Sequence, residues 1–254
     1  MPDTWYRDFF SGETLNIWRQ AVSPEETRAE VEFLISALNL GKKKGAALLD
    51  LPCGYGRLSL PLAKRGYKLT GLDTSSQYID EAKQSFAKAG LKGAFITGEM
   101  QELSELSKMR FDGAFCMGNS FGYFDRKQTQ DFLKSLSSLL KSESGFVLES
   151  RMVAESFFTV GAEKEWLKVG DTYMLIENKF FPQEGKLETV YTYISEETGK
   201  CETKQPSHWI FTAAEVASML EQAGFMVVGF YSSFELEPFQ LGSERFLALC
   251  VKAD

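Results

Sequence analysis

Along the chain, short runs of continuous apolar residues alternate with stretches in which apolar positions recur every three to four residues. ALLDL (47–51), KLTGLD (68–73), AFIT (94–97), FDGAFCM (111–117) and GFVLES (145–150) read as strands, with helices between them over 57–65, 76–89 and 127–141. Strands that are apolar on both faces and separated by helices predict a parallel sheet covered on both sides, an α/β doubly wound architecture. A further helix precedes them over 23–39, SPEETRAEVEFLISALN. Ser23 and Glu26 make a capping box, Pro24 suits the first helical position, and Val31, Leu34, Ile35 and Leu38 form one apolar face.

The pattern changes near residue 160. Between 163 and 211, turn signals at VGD (169–171), QEGK (183–186) and ETGK (197–200) separate stretches such as TYMLIENKFF and LETVYTYI, which predicts antiparallel hairpins. Thr212 and Glu215 then open a capped helix that stops at Gly224, and FMVVGFYS and RFLALCVK close the chain as strands able to rejoin the first sheet. The expectation is one domain over 1–254. It has a helical cover (1–40), an α/β core (41–160), an antiparallel β insertion or lid (161–211), and a closing helix with strands, the last antiparallel (212–254).

Composition narrows the function classes. With 254 residues, 44% of them hydrophobic and 13% aromatic, the chain can bury a large core. Its net charge of −7 comes with no basic stripe interleaved with aromatics, which favours a small-molecule partner over nucleic acid. No apolar run approaches the ~18 residues that cross a membrane, and the start MPDTWYRDFFSGET lacks a basic and then apolar leader, so a cytoplasmic protein is expected. Cys53, Cys116, Cys201 and Cys250 form no C-x-x-C pair and His208 is the single histidine, which argues against a metal site or disulfide framework. On that ground His208 reads as structural. The sequence leaves the oligomeric state open.

The candidate chemistry centres on AALLDLPCGYGRLSLPLAKRGYKLTGLDTS (46–75). Strand, glycine turn and helix place backbone N–H groups at the carboxyl end of a sheet, where Gly54 and Gly56 permit positive φ and close ligand approach. Asp73, at the end of the next strand, can accept hydrogen bonds from both hydroxyls of a ribose; the bland alternative is a cap on the following helix. A nicotinamide dinucleotide site would place a third glycine where Ser59 stands.

With these residues the chain resembles the class I methyltransferases dependent on S-adenosylmethionine, and the resemblance runs from about 45 to 150. It implies a Rossmann-like fold with that cofactor on Asp50, Gly54 and Gly56, its ribose on Asp73, and its adenine beside Glu99 and Met100 of GEMQEL. Pro52 and Cys53 in the loop, and Thr74 next to the ribose carboxylate, complete the expected cofactor set. Pro52 replaces a small residue and removes one N–H donor, and Tyr55 stands where a small hydroxyl residue is common.

FCMGNSFGYF (115–124), followed by VLESR, is similar to the glycine N-methyltransferase branch and its bacterial small-molecule relatives. That likeness implies roles by position: Trp18 and Arg28, ten residues apart, at the cofactor's methionine end, with Arg28 on its carboxylate; Met117 and Tyr123 facing the methyl and sulfur; Arg151 holding an acceptor carboxylate. Tyr123 replaces a family histidine. Asn119 joins Arg151 as a substrate-binding candidate, and Tyr123 and Glu149 are the candidate bases for an amine that must arrive neutral. Each has an alternative: Arg28 can pair with Glu32, Arg151 with Glu149, Asn119 can cap a helix, and Trp18 with Trp5, Tyr6, Phe9 and Phe10 can be core or an aromatic cover.

The function these readings imply is methyl transfer to a small metabolite, with the nitrogen of an amino-acid-like acceptor foremost. The alternatives are an O- or C-methyltransferase of a larger metabolite, and a non-catalytic cofactor-binding subunit.

Overall fold

A computed structural model describes residues 4–254. Three helices lead: α1 (Tyr6–Phe9), α2 (Glu13–Gln20) and α3 (Pro24–Ala37). In α3 the Ser23 side chain accepts from the Glu26 backbone N–H, as the capping box predicts. The α/β stretch follows as β1 (Ala47–Asp50), α4 (Ser59–Lys64), β2 (Lys68–Asp73), α5 (Ser76–Lys88), β3 (Ala94–Thr97), β4 (Phe111–Cys116), α6 (Arg126–Leu139) and β5 (Leu140–Ser150). Helix α7 (Ala154–Val160), which the apolar pattern does not announce, leads into the hairpins β6 (Lys164–Val169), β7 (Thr172–Phe181), β8 (Lys186–Ser195), β9 (Cys201–Lys204) and β10 (Ser207–Trp209). The chain closes with α8 (Ala213–Gln222), β11 (Phe225–Tyr231) and β12 (Phe246–Lys252).

Seven strands form the main sheet in the order β11-β12-β5-β4-β1-β2-β3. Strands β1 to β5 pair in parallel, whereas β12 slots between β5 and β11 antiparallel to both. This is the Rossmann-like arrangement with an antiparallel last strand. The remaining strands make a separate antiparallel sheet, β10-β8-β7-β6 with β9 also on β8.

Each face of the main sheet buries its own apolar cluster, which explains the continuous hydrophobicity of its strands. Phe132, Leu133 and Leu136 of α6 and Val216 and Leu220 of α8 pack on one side. Val31 and Leu34 of α3, Leu62 of α4 and Ile79 of α5 pack on the other. A third cluster, Phe9 and Ile17 with Met174, Ile176, Tyr191 and Tyr193, fastens the first two helices to the small sheet.

The site follows from the strand order. After β1 the chain steps to β2 on one side and later to β4 on the other, opening a crevice beyond the carboxyl ends of β1 and β4. The small sheet and the leading helices roof that crevice.

Candidate active site

Beyond β1 the backbone turns through Gly54 (φ 52°) and Gly56 (φ 81°) before entering α4. A Cβ on Gly54 would meet only open space, whereas one on Gly56 would stand 3.2 Å from the Ala82 Cβ of α5. Gly54 therefore keeps a bare, left-handed backbone face toward the crevice, and Gly56 lets α5 approach. The Gly54 N–H donates to Asp73 Oδ2 at 2.8 Å and the Ser75 N–H to Asp73 Oδ1 at 2.9 Å, so the carboxylate fixes the glycine turn and the start of α5 together. Burial raises Asp73 to about 6, opposed by these N–H donors. Asp50 accepts from Ser59 Oγ at 2.8 Å, and burial, only partly offset by Ser59 and Arg57, raises it to about 8. The Cys53 thiol is likewise pushed up by burial.

A cavity of about 160 Å³ opens between this turn and the segment after β4. Asp50, Pro52, Cys53 and Gly54 form one side and Met117, Asn119 and Tyr123 the other, with Trp18 and His208 among the remaining walls. A smaller compartment of about 20 Å³ adjoins it, lined by Asp73, Thr74 and Met100 and roofed by Tyr6 and Phe10. Glu99 lies outside both linings; it accepts from the Tyr6 hydroxyl at 3.0 Å and pairs with Arg7 at 2.6 Å.

Several expected positions move. Arg28 is 67% exposed on α3 and pairs with Glu25 at 2.7 Å, not with Glu32 and not in the cavity wall. The helix phase decides this: Thr27 and Glu30 face inward instead, and both hold Arg57, through Thr27 Oγ1 at 3.0 Å and both Glu30 oxygens. Arg57 lines the cavity. Burial raises the Glu30 carboxyl in spite of the guanidinium.

Arg151 is exposed and its side chain is no part of the cavity lining; its backbone N–H donates to Asn119 Oδ1 at 2.7 Å. Asn119 (φ 65°) thus ties the ends of β4 and β5 together, and the cap of α6 is Asp125. Glu149 is buried beneath the same loop, accepting from the Gly118 N–H at 2.8 Å with Arg245 Nε 3.0 Å from its other oxygen. It stands outside the cavity lining, and its ion-pair partner is Arg245 rather than Arg151. Burial raises the Tyr123 phenol well above its usual range, so it stays protonated near neutral pH. The two candidate bases are thereby reduced to a loop anchor and a hydrogen-bond donor.

Residues without a family position fill the gaps. Arg57 directly follows the second glycine, a place from which a long side chain can reach the ligand space. Tyr55 and Tyr78 line the cavity as well, and Tyr191 of β8 and His208 of β10 line it from the small sheet. The solitude of His208 predicts a structural residue; the pairing of β10 with β8 carries it into the wall.

A family model described as a methyltransferase domain matches residues 48–143. Glycine N-methyltransferase from Oryctolagus cuniculus is 23% identical over 166 residues, 59% of this chain and 55% of that protein. The CcbJ methyltransferase from Streptomyces caelestis superposes with a TM-score of 0.82 at 20% identity over the whole of both chains. The matched domain and these likenesses together support a class I S-adenosylmethionine-dependent methyltransferase. S-adenosylmethionine-bound CalS10, an amino pentose methyltransferase from Micromonospora echinaspora, shares the fold with a TM-score of 0.69 at 15% identity, over 97% of this chain and 99% of that one. The chain spans about half the length of the glycine N-methyltransferases it matches. Its residues fit the cofactor of the class: a bare glycine face, a buried strand-end carboxylate in Asp73, and an aromatic cavity with the unpartnered Trp18 Nε1 in its wall. Among the described residues no helix is long and apolar enough to cross a membrane.

Proposed function

We propose that this chain transfers a methyl group from S-adenosylmethionine to the nitrogen of a small-molecule acceptor seated in the aromatic cavity. The observation that carries the reading is the cavity itself, which joins the Gly54 turn to the segment 117–123 and continues to the walls supplied by the lid. When bound, the cofactor supplies an electrophilic methyl carbon: its bond to sulfur breaks as the bond to nitrogen forms, and sulfur keeps the electron pair. The chain's own work is to align, enclose and hold the nucleophile neutral. Asp73 and Thr74 would hold the ribose, Met100 would pack on the adenine, and Asp50 and Arg57 would meet the amino-acid end.

Nitrogen is favoured over a phenol or alcohol because neither candidate base beside the segment after β4 is free to take an oxygen's proton, and the Asp50 carboxyl is assigned to the cofactor's amino-acid end. Tyr123 is itself protonated, and Glu149 is spent on Gly118 and Arg245. A neutral amine needs no base before attack and sheds its proton afterwards to water. The curated relatives named as glycine N-methyltransferases support the same class of acceptor. An amino-acid-like acceptor would lean on Arg151, whose exposed position gives that finer reading little support.

The test is transfer of label from methyl-labelled S-adenosylmethionine to separate pools of amines, phenols and carboxylic acids. Label in the amine pool is expected; label confined to oxygen acceptors, or none together with no cofactor binding by calorimetry, would refute the proposal.

A further inference from the structure

His208 is the one titratable side chain that the lid contributes to the cavity besides Tyr191. It is 6% exposed, and its Nδ1 has no hydrogen-bond partner among the described residues. The ring packs with Trp5 and Tyr123 in a three-ring cluster: each centroid is 5.3 Å from His208, and the two are 4.7 Å from each other. A buried polar atom without a partner costs free energy unless something fills it, and since the His208 side chain lines the cavity, its imidazole is a place where a ligand group can be received. Burial alone lowers His208 to about 4, so the imidazole is neutral in the working range and can accept a hydrogen bond.

The remaining wall says what the ligand's body is. Trp5, Phe9, Trp18, Tyr123 and Tyr191 present aromatic surface, whose negative faces suit apolar rings and a nearby positive charge, and repel an anion. The cavity's one guanidinium, Arg57, is already held by Glu30 and Thr27, and the Asp50 carboxyl faces the same space. Among the described residues the wall has no cationic side chain left to receive an acceptor carboxylate; the donors without a partner there, Trp5 Nε1 and Trp18 Nε1, are neutral.

Building on the proposed methyl transfer, we infer that the acceptor is a neutral amine on an apolar, ring-bearing body without an anionic group, and that its N–H donates to the His208 imidazole. His208 is then a specificity-determining contact. It is no general base, because an imidazole that holds its proton so weakly cannot strip an amine; it turns the nitrogen so that the lone pair, opposite the donated N–H, is available for attack.

Phenethylamine is a suitable probe, compared with phenylalanine, which adds a carboxylate, and with 4-ethylphenol, which replaces the amine by a hydroxyl. Binding is read by quenching of tryptophan fluorescence in saturating S-adenosylhomocysteine, since Trp5 and Trp18 line the cavity, and turnover is read separately by label transfer. Phenethylamine should bind at least about tenfold more tightly than phenylalanine. His208→Phe, which keeps the ring but removes the polar nitrogens, should weaken phenethylamine about tenfold and raise KM more than it lowers kcat. His208→Gln, which restores an acceptor, should recover part of that loss, and S-adenosylhomocysteine affinity should stay within about threefold in both variants. Preference for phenylalanine, or equal phenethylamine binding by wild type and His208→Phe, overturns the inference while leaving methyl transfer intact. Failure of the wild type to bind S-adenosylhomocysteine overturns both.

Discussion

The two halves of the crevice are built on different principles. The half proposed for the cofactor is built on backbone groups: Asp73 receives N–H groups from Gly54 and Ser75 and the bare face of Gly54 borders the cavity, with one side-chain contact, Ser59 to Asp50, beside them. The half where the acceptor is proposed to sit is lined by side chains from four separate elements: Trp5 at the start of α1 and Phe9 in it, Trp18 on α2, Tyr191 on β8 and His208 on β10. A backbone cradle tolerates only the residues its turn geometry permits, so it leaves a local signature. An aromatic wall can be assembled from many residues at many distances, so it leaves none. The same contrast governs what mutations should do: changes in the first half strike turn geometry and cofactor together, and changes in the second alter selectivity.

The largest effect is expected at Asp73. Asp73→Ala removes the acceptor of two backbone N–H groups as well as the partner proposed for the ribose hydroxyls. Two hydrogen bonds to a charged acceptor are worth roughly 3–6 kcal/mol at about 1.5–3 each, so S-adenosylhomocysteine affinity should fall by more than a hundredfold in calorimetry. An unchanged Kd would remove Asp73 from the cofactor site and leave it as a turn anchor alone.

Next is the pair Arg57 and Arg28, both placed near the cofactor's amino-acid end, one by geometry and one by family spacing. Glu30 is only 3% exposed, and removing its guanidinium leaves a buried carboxyl without its main partner, a loss typically of ~3–5 kcal/mol. Because burial already raises Glu30, it would take up a proton instead of remaining charged, which puts Arg57→Ala near the lower end. Arg28→Ala should leave both Tm and cofactor affinity unchanged, since its partner Glu25 is as exposed as itself. Should Arg28→Ala weaken S-adenosylhomocysteine more than methylthioadenosine, which lacks the amino-acid part, the family spacing would be right and the helix phase misread.

A smaller, pH-dependent effect belongs to Asp50. Its pKa is about 8 in the folded chain against 3.8 for a free aspartate, so the folded state binds the extra proton between those values. Its stabilising contribution is fully present below pH 3.8 and is lost as pH rises through about 8. For a cationic ligand the sign reverses: an ionised Asp50 attracts it, so affinity grows as pH rises toward about 8, by at most about tenfold per unit. S-adenosylhomocysteine, which carries an ammonium, should bind more tightly at about pH 8 than at about pH 6, and methylthioadenosine should not. Parallel pH curves for the two ligands would mean that Asp50 stays protonated in the complex.

What the sequence yields follows the same division. The five parallel strands, the capped helices and the antiparallel hairpins are legible because strand apolarity, capping boxes and turn residues are local signals, and Gly54, Gly56 and Asp73 because a turn must be written in consecutive residues. Arg28 illustrates where spacing alone fails: one helix presents Thr27 and Glu30 inward and Arg28 outward, and the difference is about a third of a turn. His208 illustrates a different limit. Solitude in the sequence says nothing about its neighbours, because Trp5 and Tyr123, which pack against it, lie about 200 and 85 residues away along the chain and meet it only through how the small sheet folds back.

The smallest effect is expected at Arg151, and it is informative for that reason. Family position assigns its guanidinium to an acceptor carboxylate, which would make Arg151→Lys costly, since lysine cannot reproduce two parallel hydrogen bonds. In this chain the backbone does the local joining. The Arg151 N–H donates to Asn119 Oδ1 at 2.7 Å and so links the ends of β4 and β5, while the side chain is exposed. Any side chain leaves that N–H in place, so Arg151→Lys and Arg151→Ala should both keep the acceptor KM within about twofold and leave Tm unmoved. Asn119→Ala, by contrast, removes the acceptor atom itself and should loosen the segment that carries Gly118 and Tyr123, raising KM for cofactor and acceptor together. If Arg151→Lys raises the acceptor KM about tenfold while Asn119→Ala does nothing, the side chain and not the backbone is what matters at this corner, the acceptor carries a carboxylate, and the aromatic wall is only a cover.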